Sequence, residues 1–219
     1  MNKMTDLNEQ TSAVEQATFS MGCFWGPDSL FGSLPGVIQT EVGYAGGTIL
    51  DPTYRKMGDH SETVNMFFDP TVISYEQLVR LFWENHDATK DRFYKERQYI
   101  SILFYQNETQ YKMAKEIHSE YEKAQGKEIQ TEFQSFNHFY TAEDHHQKYF
   151  LRRFKGATES IKNLFPDEPS FIQSTIAARL NGFVRERGKL PDIKEEITHW
   201  GLDQANTELV LETIDKIRW

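Results

Sequence analysis

The residue whose type and setting point most directly to chemistry is Cys23, which lies in the segment GCFWGP at 22–27. The segment joins a predicted strand to a predicted helix start. A thiol at a helix N-terminus meets unpaired N–H groups and the positive end of the helix dipole, which favour the thiolate. A lone cysteine is also commonly a buried, inert residue. Its placement alone therefore leaves a reactive nucleophile and a packing residue as equal alternatives.

Cys23 is the only cysteine among 219 residues. A single thiol excludes an intramolecular disulfide, a cysteine-based zinc site and a CxxC redox pair. Any redox chemistry at Cys23 therefore proceeds without a second thiol from the same chain.

The composition excludes two broad classes of protein. Lys plus Arg number 24 and Asp plus Glu number 33, so the net charge is −9, which argues against binding nucleic acid. The mean hydropathy is −0.64, and no apolar run approaches the roughly 18 residues of a membrane span. Residues 1–16 lack the apolar stretch of a secretory signal. We expect them to form a disordered leader, and we expect a cytoplasmic protein.

Alternating apolar residues bounded by Gly, Pro or Asp predict strands, and capping signals predict the helices between them. The predicted strands are 17–21, 37–44, 63–68, 100–105 and, more weakly, 129–136. The predicted helix starts are Pro27, the capping box Ser74–Gln77, Asn107 with an end near Gly126, and Thr141 with a helix that includes Tyr149 and Phe150.

This order predicts an α+β fold, with a split-βαβ (ferredoxin-like) sandwich as its core. We assign the catalytic α+β domain to residues 17–165. The segment PDEP at 166–169 is interpreted as a linker. Residues 166–219 are predicted to form a helical C-terminal extension that packs on the core or on a partner.

Several motifs carry a resemblance to a known family. The segment GCFWG resembles the active-site signature of the peptide methionine sulfoxide reductases of the A type. Further matches follow in the family's order: LPGV (34–37), VGYAGG (42–47), DPTY (51–54), HSE (60–62), FDP (68–70), FWENHD (82–87), RQY (97–99) and AEDHHQKY (142–149). Residues 177–183 resemble an extension present in a subset of the family.

The resemblance implies reduction of methionine S-sulfoxide, free or in proteins, to methionine. It makes Cys23 the nucleophile, which attacks the sulfoxide sulfur and becomes a sulfenic acid. It makes Glu62 the general acid, because the sulfoxide oxygen is a poor leaving group until it is protonated. A carboxyl that keeps a proton near neutral pH needs a pKa raised by burial.

Four more site residues follow from the same resemblance. Tyr54 and Tyr99 match tyrosines that hydrogen-bond the sulfoxide oxygen, where two donors favour the developing charge. Phe24 and Trp25 match an aromatic pair that holds the methyl group of the substrate. An apolar wall at that place selects one chirality of a pyramidal sulfoxide.

The chain departs from the family pattern in three ways. The segment between Tyr54 and Glu62 is shorter than usual, and Tyr94 stands where many members have a substrate-binding aspartate. The chain also lacks the C-terminal resolving cysteines of many members. We therefore expect a single-cysteine member regenerated by an external thiol: thioredoxin, a glutaredoxin-like protein or a small thiol. No other cofactor and no metal is expected, and the expected partners are oxidised proteins, free methionine sulfoxide and the thiol reductant.

Three other interpretations are open. The pair His145-His146 could suggest a metal site, although adjacent helical ligands point about 100° apart and packing roles are commoner. A cysteine–histidine hydrolase would use His60, His86 or His146 to activate Cys23. A non-catalytic module could bind methylated or sulfoxide-bearing peptides, provided that Cys23 is buried and unreactive.

Overall fold

The structure, a computed structural model, describes residues 14–89 and 96–219. Six strands form one mixed sheet in the order β5-β4-β1-β3-β2-β6. The strands are β1 (Glu15–Met21), β2 (Val37–Ala45), β3 (Ser61–Phe68), β4 (Ser101–Tyr105), β5 (Glu132–Ser135) and β6 (Phe139–Thr141). Neighbouring strands are antiparallel except β4 and β5, which are parallel. The predicted α+β class is confirmed.

The helices are α1 (Trp25–Gly32), α2 (Tyr75–Glu84), α3 (Glu108–Gln125), α4 (Tyr149–Arg152), α5 (Lys155–Lys162), α6 (Glu168–Ile172), α7 (Thr175–Phe183), α8 (Leu190–Ile197) and α9 (Gln204–Lys216). The described residues also include two short 3-10 turns, Arg97–Tyr99 and Asp144–His146. No helix in the described ranges has both the length and the hydropathy needed to cross a membrane.

The main core lies on one face of the central strand β1. Phe19 of β1 is fully buried, and its ring contacts Phe31 of α1 at 5.6 Å and Phe82 of α2 at 5.0 Å. Helices α1 and α2 therefore cover the same face of the sheet. Burial of aromatic side chains of this size is a leading favourable term in folding, and it fixes the end of β1 that leads into Cys23.

Most predicted elements are present, and the differences are confined to a few segments. Strand β1 begins at Glu15, so the last two residues of the predicted leader belong to the sheet, and residues 1–13 lie outside the described ranges. The helix predicted to start at Thr141 is wrong: Thr141 ends β6, and α4 begins only at Tyr149. Lys148 has a φ of +52°, a left-handed conformation that a continuous helix does not contain.

The segment predicted as a linker at 166–169 instead starts a helix. The Asp167 side chain accepts a hydrogen bond from the Ser170 N–H at 2.9 Å and so caps α6. Capping of this kind satisfies one of the free N–H groups at a helix start. Helices α4 to α9 together form a second hydrophobic cluster, which includes Leu151, Phe171 and Val210. Helix α7 packs against α1 and β2 and joins this cluster to the sheet.

A fully buried ion pair lies where α1, β2 and α7 meet. The Lys148 ammonium and the Asp28 carboxylate are 3.1 Å apart, and both side chains have no exposed surface. The ammonium also donates to the Thr40 carbonyl oxygen at 2.6 Å. Asp28 accepts further hydrogen bonds from the Lys148 N–H and from Asn181 of α7. The network fixes the chain just before Tyr149, a residue that contacts the site described below.

We expect Lys148→Met to lower the free energy of unfolding by about 3–5 kcal/mol, because it leaves the Asp28 carboxylate buried without its counter-charge. The double variant Asp28→Asn/Lys148→Met should recover part of that loss, since it removes both charges. Urea unfolding of the wild type and the two variants measures the difference. A single variant as stable as the wild type would contradict the proposed role of the pair.

Candidate active site

The site is built around Cys23 at the end of β1. Gly22 has a φ of +100°, a value that glycine adopts without steric penalty, and it turns the chain sharply out of the sheet. Helix α1 begins two residues after Cys23, at Trp25. Cys23 is exposed, and its thiol is hydrogen-bonded to the Glu62 carboxyl. The nucleophile candidate is thus open to solvent while it touches an acid from a different strand.

Strand β3 supplies Glu62, which lies opposite Tyr44 of β2 in the register. Its side chain is only 1% exposed. One carboxyl oxygen accepts the Phe24 N–H at 2.9 Å, and the other accepts the Gln98 amide at 2.6 Å. Both donors come from segments that flank the site, so the acid is held in one orientation toward Cys23.

Burial raises the pKa of Glu62, although the hydrogen bonds from Phe24, Gln98 and Cys23 act in the opposite direction. The pKa of Cys23 is raised as well, first by desolvation and then by the charge and the hydrogen bond of Glu62. The Trp25 N–H at the start of α1 lowers it. The expectation of a favoured thiolate is therefore wrong, because burial and the nearby acid outweigh the helix end.

Two tyrosine hydroxyls lie beside this pair. Gln98 donates to the Tyr99 hydroxyl oxygen at 2.9 Å, and the Tyr99 and Tyr54 hydroxyls are hydrogen-bonded to each other. Desolvation, followed by that hydrogen bond, raises the pKa of Tyr99. Tyr99 therefore keeps its proton near neutral pH and remains available as a donor.

A tight turn brings Tyr54 to the site despite the short segment that follows it. Thr53 and Lys56 bond to each other across the turn, and the Tyr54 N–H donates to Glu143 at 3.1 Å. The same carboxylate accepts the Tyr44 hydroxyl at 2.7 Å. Glu143 therefore ties the turn to β2, and this bond places the Tyr54 ring 4.8 Å from the ring of His146.

Aromatic side chains form a wall next to Cys23. Phe24 is 1% exposed, whereas Trp25 is half-buried and stacks on Tyr149 at 3.6 Å with an interplanar angle of 2°. The Trp25 indole N–H donates to His146 Nδ1 at 3.3 Å, which assigns the His146 proton to Nε2. Burial lowers the pKa of His146, so the ring is neutral and holds the indole by accepting its hydrogen bond.

The structure brings all six predicted site residues into one region, and it adds others that the sequence did not assign. Gln98, Glu143, His146 and Tyr149 contact the predicted residues directly. Each belongs to a motif quoted above, but a motif match alone did not give it a role. Tyr94, at the position of the family aspartate, lies outside the described residues.

The contacts bear on the three other interpretations. His60 bonds the Gly47 N–H and the Ile49 carbonyl, His86 bonds Phe82 and Ser101, and His146 bonds Trp25. The side chain that bonds the Cys23 thiol is an acid, which does not suit a cysteine–histidine hydrolase. Because Cys23 is exposed, the condition set for a non-catalytic module is not met. Within residues 14–89 and 96–219, no group of three or more His, Cys, Asp or Glu could hold a metal ion.

Gln98→Leu tests whether the hydrogen bond from Gln98 lowers the pKa of Glu62. Loss of the amide donor removes a hydrogen bond that lowers the Glu62 pKa, so that pKa should rise further. If Glu62 is the general acid that the resemblance implies, the alkaline limb of the kcat/KM profile should then move to higher pH, because the acid keeps its proton longer. Gln204→Leu, which breaks an exposed glutamine–glutamate bond on α9, is the matched control. A profile that both variants leave unchanged would contradict the role of Gln98.

Comparison with known proteins agrees with this geometry. The family model of peptide methionine sulfoxide reductase matches residues 15–177. A peptide methionine sulfoxide reductase of Drosophila melanogaster is 44% identical over 188 residues, 85% of this chain and 74% of that protein.

Two solved structures are similar as well. Methionine sulfoxide reductase A of Corynebacterium diphtheriae is 32% identical with a TM-score of 0.59, over 68% of this chain and 78% of that one. Reduced Mxr1 of Saccharomyces cerevisiae is 26% identical with a TM-score of 0.60, over 66% of this chain and 88% of that one. The chain therefore belongs to the peptide methionine sulfoxide reductases of the A type, a family of oxidoreductases.

Proposed function

We propose that the protein reduces the S-sulfoxide of methionine, free or in proteins, to methionine through a sulfenic acid at Cys23. The observation that carries the proposal is the pairing of the only thiol with a buried carboxyl of raised pKa. Two tyrosine hydroxyls and an aromatic wall lie around this pair. These are the groups that a thiol needs to break a bond between sulfur and oxygen.

In the first step, the Cys23 sulfur attacks the sulfoxide sulfur while Glu62 delivers a proton to the oxygen. Tyr54 and Tyr99 donate hydrogen bonds to that oxygen as its charge grows. The S–O bond of the substrate breaks as the protonated oxygen passes to the Cys23 sulfur. The S–S bond formed by the attack breaks with it, which releases methionine and leaves Cys23 as a sulfenic acid. The methionine sulfur gains two electrons, the Cys23 sulfur loses two, and the proton of the thiol ends on the sulfenic oxygen.

The raised pKa of both groups suits this step. Without substrate, the Cys23 thiol keeps its proton next to Glu62, so the nucleophile is masked. Transfer of that proton to Glu62 creates the thiolate and the protonated acid at the same time. The pair then titrates as a unit, and a sulfoxide oxygen beside Glu62 favours the protonated acid by accepting its hydrogen bond.

Regeneration needs thiols from outside the chain. Because the chain has no second cysteine, the sulfenic acid cannot close an internal disulfide. A first external thiol forms a mixed disulfide with Cys23 and releases water, and a second thiol then frees Cys23 as a disulfide leaves. We infer that thioredoxin, a glutaredoxin-like protein or a small thiol supplies them, and that no other cofactor takes part.

We also propose the division of the chain that the sequence suggested. Residues 17–165 contain all six proposed site residues and form the catalytic domain, and 166–219 form the helical extension. Within the domain, β1-α1-β2-β3-α2-β4 is proposed as a split-βαβ, ferredoxin-like unit. The antiparallel order β4-β1-β3-β2 supports this assignment, as do the contacts of α1 and α2 with Phe19.

Epimer selection tests the proposed function. With dithiothreitol as reductant, the protein should convert N-acetylmethionine S-sulfoxide to the sulfide and leave the R-sulfoxide unchanged. Trp25→Ala should lower kcat/KM by about 10- to 100-fold, as loss of a large apolar contact predicts, and should weaken the preference for the S-epimer. Trp200→Ala, in the loop between α8 and α9, is the control. Equal reduction of both epimers by the wild type would overturn the proposal.

A further inference from the structure

An apolar groove lies outside the proposed site, on the C-terminal helices. It encloses about 520 Å³ between the end of α7, the start of α8 and the last residue of the chain. Its apolar lining consists of Phe154, Phe183, Val184, Leu190, Pro191 and Trp219. Phe154 and Trp219 are 38% and 37% exposed. Large apolar side chains left open together in one concave place are typical of a surface that binds another molecule.

The rim of the groove is basic, although the chain as a whole carries a net charge of −9. Arg153 and Lys155 flank Phe154, and Arg185, Arg187 and Lys189 follow α7. None of these five side chains forms an ion pair within the described residues. The mutual repulsion of Arg185 and Arg187 contributes, after burial, to a lowered pKa of Arg187. Lys189 and Glu186 are the charged residues that line the groove in the described part of the chain. The sequence neighbours of the lining residues add four cations named above, together with Arg218 and Asp192, so cations outnumber acids around the groove although not in its lining.

Partly exposed aromatic rings lead from the proposed site to this rim. The Trp25 ring stacks on Tyr149 at 3.6 Å, and the Tyr149 and Phe150 rings are 5.5 Å apart. The Arg185 guanidinium lies over the Phe150 ring at 4.5 Å. Arg185 therefore lies no further from Trp25, in the aromatic wall next to Cys23, than about four residues of extended chain can span. A polypeptide bound at Cys23 can therefore reach Arg185, which lies between the groove-lining residues Val184 and Glu186 in the sequence.

We propose that this basic, apolar-lined groove binds the polypeptide of an oxidised protein substrate through acidic and apolar side chains on one flank of its methionine sulfoxide. Charge complementarity with the five rim cations selects the acidic residues. The apolar lining takes a large side chain next to them. The proposal rests on the proposed function and adds to it a preference among protein substrates. Free methionine sulfoxide is too small to use the groove.

The distance between Cys23 and the groove determines how far from the methionine sulfoxide the acidic residues of a peptide should lie. The acidic residues should act when they are about four to seven residues from the methionine sulfoxide, because nearer positions fall beside Tyr149 and Phe150. Suitable probes are synthetic peptides with one methionine S-sulfoxide and a Phe-Asp-Asp-Asp block at that distance, on either flank. The matched probes carry a Phe-Lys-Lys-Lys block in the same place. N-acetylmethionine S-sulfoxide serves as the small substrate.

The test compares kcat/KM on these substrates, with dithiothreitol as reductant, for the wild type and for Arg185→Glu/Arg187→Glu. We expect one of the two acidic-block peptides to exceed its lysine counterpart by about tenfold for the wild type, and the double variant to remove this preference. Added salt should reduce it as well. Lys123→Glu/Lys127→Glu, which changes the net charge equally at the end of α3, should keep it. The small substrate should react equally with all three proteins.

The results separate this proposal from the function on which it rests. No reduction of the small substrate by the wild type would overturn the proposed function itself. Normal reduction of the small substrate with equal rates on acidic and lysine peptides would overturn only the groove proposal. So would a double variant that keeps the peptide preference but shows a higher KM for a thioredoxin, because the surface would then bind the reductant.

Discussion

Glu62→Gln is expected to slow reduction of N-acetylmethionine S-sulfoxide by about 10²- to 10⁴-fold, the usual effect of losing a general acid. Glutamine occupies the same volume and can still accept the Phe24 N–H, so the geometry of the site should survive. It has no proton to transfer to the sulfoxide oxygen as the S–O bond breaks. The loss should therefore appear in kcat more than in KM, and steady-state kinetics with dithiothreitol measures both.

The same variant should make Cys23 more reactive toward an alkylating agent. The charge and the hydrogen bond of Glu62 both raise the pKa of Cys23, and a neutral amide in place of the carboxylate removes both effects. Alkylation by iodoacetamide at neutral pH should accordingly be faster in Glu62→Gln than in the wild type. Glu41→Gln, at a half-buried position of β2, is the control. A variant that lost both activities together would point to a collapsed site instead of a missing acid.

Glu62→Gln should also increase the stability of the folded protein. Because the pKa of Glu62 is raised in the folded state, its protonation stabilises the fold below the unfolded pKa, and that contribution is lost as pH rises through the folded pKa. Above the folded pKa the wild type therefore carries the penalty of a buried carboxylate, which glutamine avoids. We expect a higher Tm for Glu62→Gln than for the wild type at alkaline pH, and we expect this difference to shrink as the pH falls. The trade between activity and stability is typical of active-site residues.

Cys23→Ser is expected to abolish turnover of the sulfoxide to the background rate of the buffer. The serine hydroxyl is a far weaker nucleophile toward sulfur and has no accessible sulfenic state. Since no second cysteine exists in the chain, no other residue can take over the step. The measurement is methionine formed per chain, with dithiothreitol present in excess.

The control for this variant is its fold. Cys23 is exposed, so its replacement should change the free energy of unfolding by no more than about 0.5 kcal/mol. Thermal unfolding then confirms that an inactive protein is still folded. Retained activity in Cys23→Ser would show that the chemistry occurs elsewhere.

The sequence predicted the central elements because their signals are local. The alternation of 63–68 and the capping box at Ser74 depend on neighbours in the chain, and both occur in the structure as β3 and the start of α2. The three-residue strand β6 is stabilised by pairing with β2, which is distant in sequence. The left-handed Lys148 depends on Asp28 for its buried partner. Such long-range contacts have no local signal, so the helix from Thr141 was predicted in error.

The candidate site shows the same difference between features with a local sequence signal and features that depend on long-range contacts. Its predicted residues came from motifs, and the structure places them in one region. The raised pKa of Cys23 could not be inferred from a helix start, because it arises from burial and from Glu62, which is 39 positions further along the chain. Likewise, the bond from Tyr54 to Glu143 joins a turn to a segment near the end of the domain. The pKa of a group depends on the residues that are packed around it, and a sequence motif does not specify that packing.

The central claim is that one thiol carries the whole reduction, and an anaerobic single turnover without any thiol reductant tests it most directly. The protein is mixed with an excess of resolved S- or R-sulfoxide, and methionine and the mass of the Cys23 peptide are measured together. We expect one methionine per chain from the S-epimer, none from the R-epimer, and a gain of one oxygen atom at Cys23. Methionine formed without oxygen on Cys23, or formed repeatedly without a reductant, would contradict the claim.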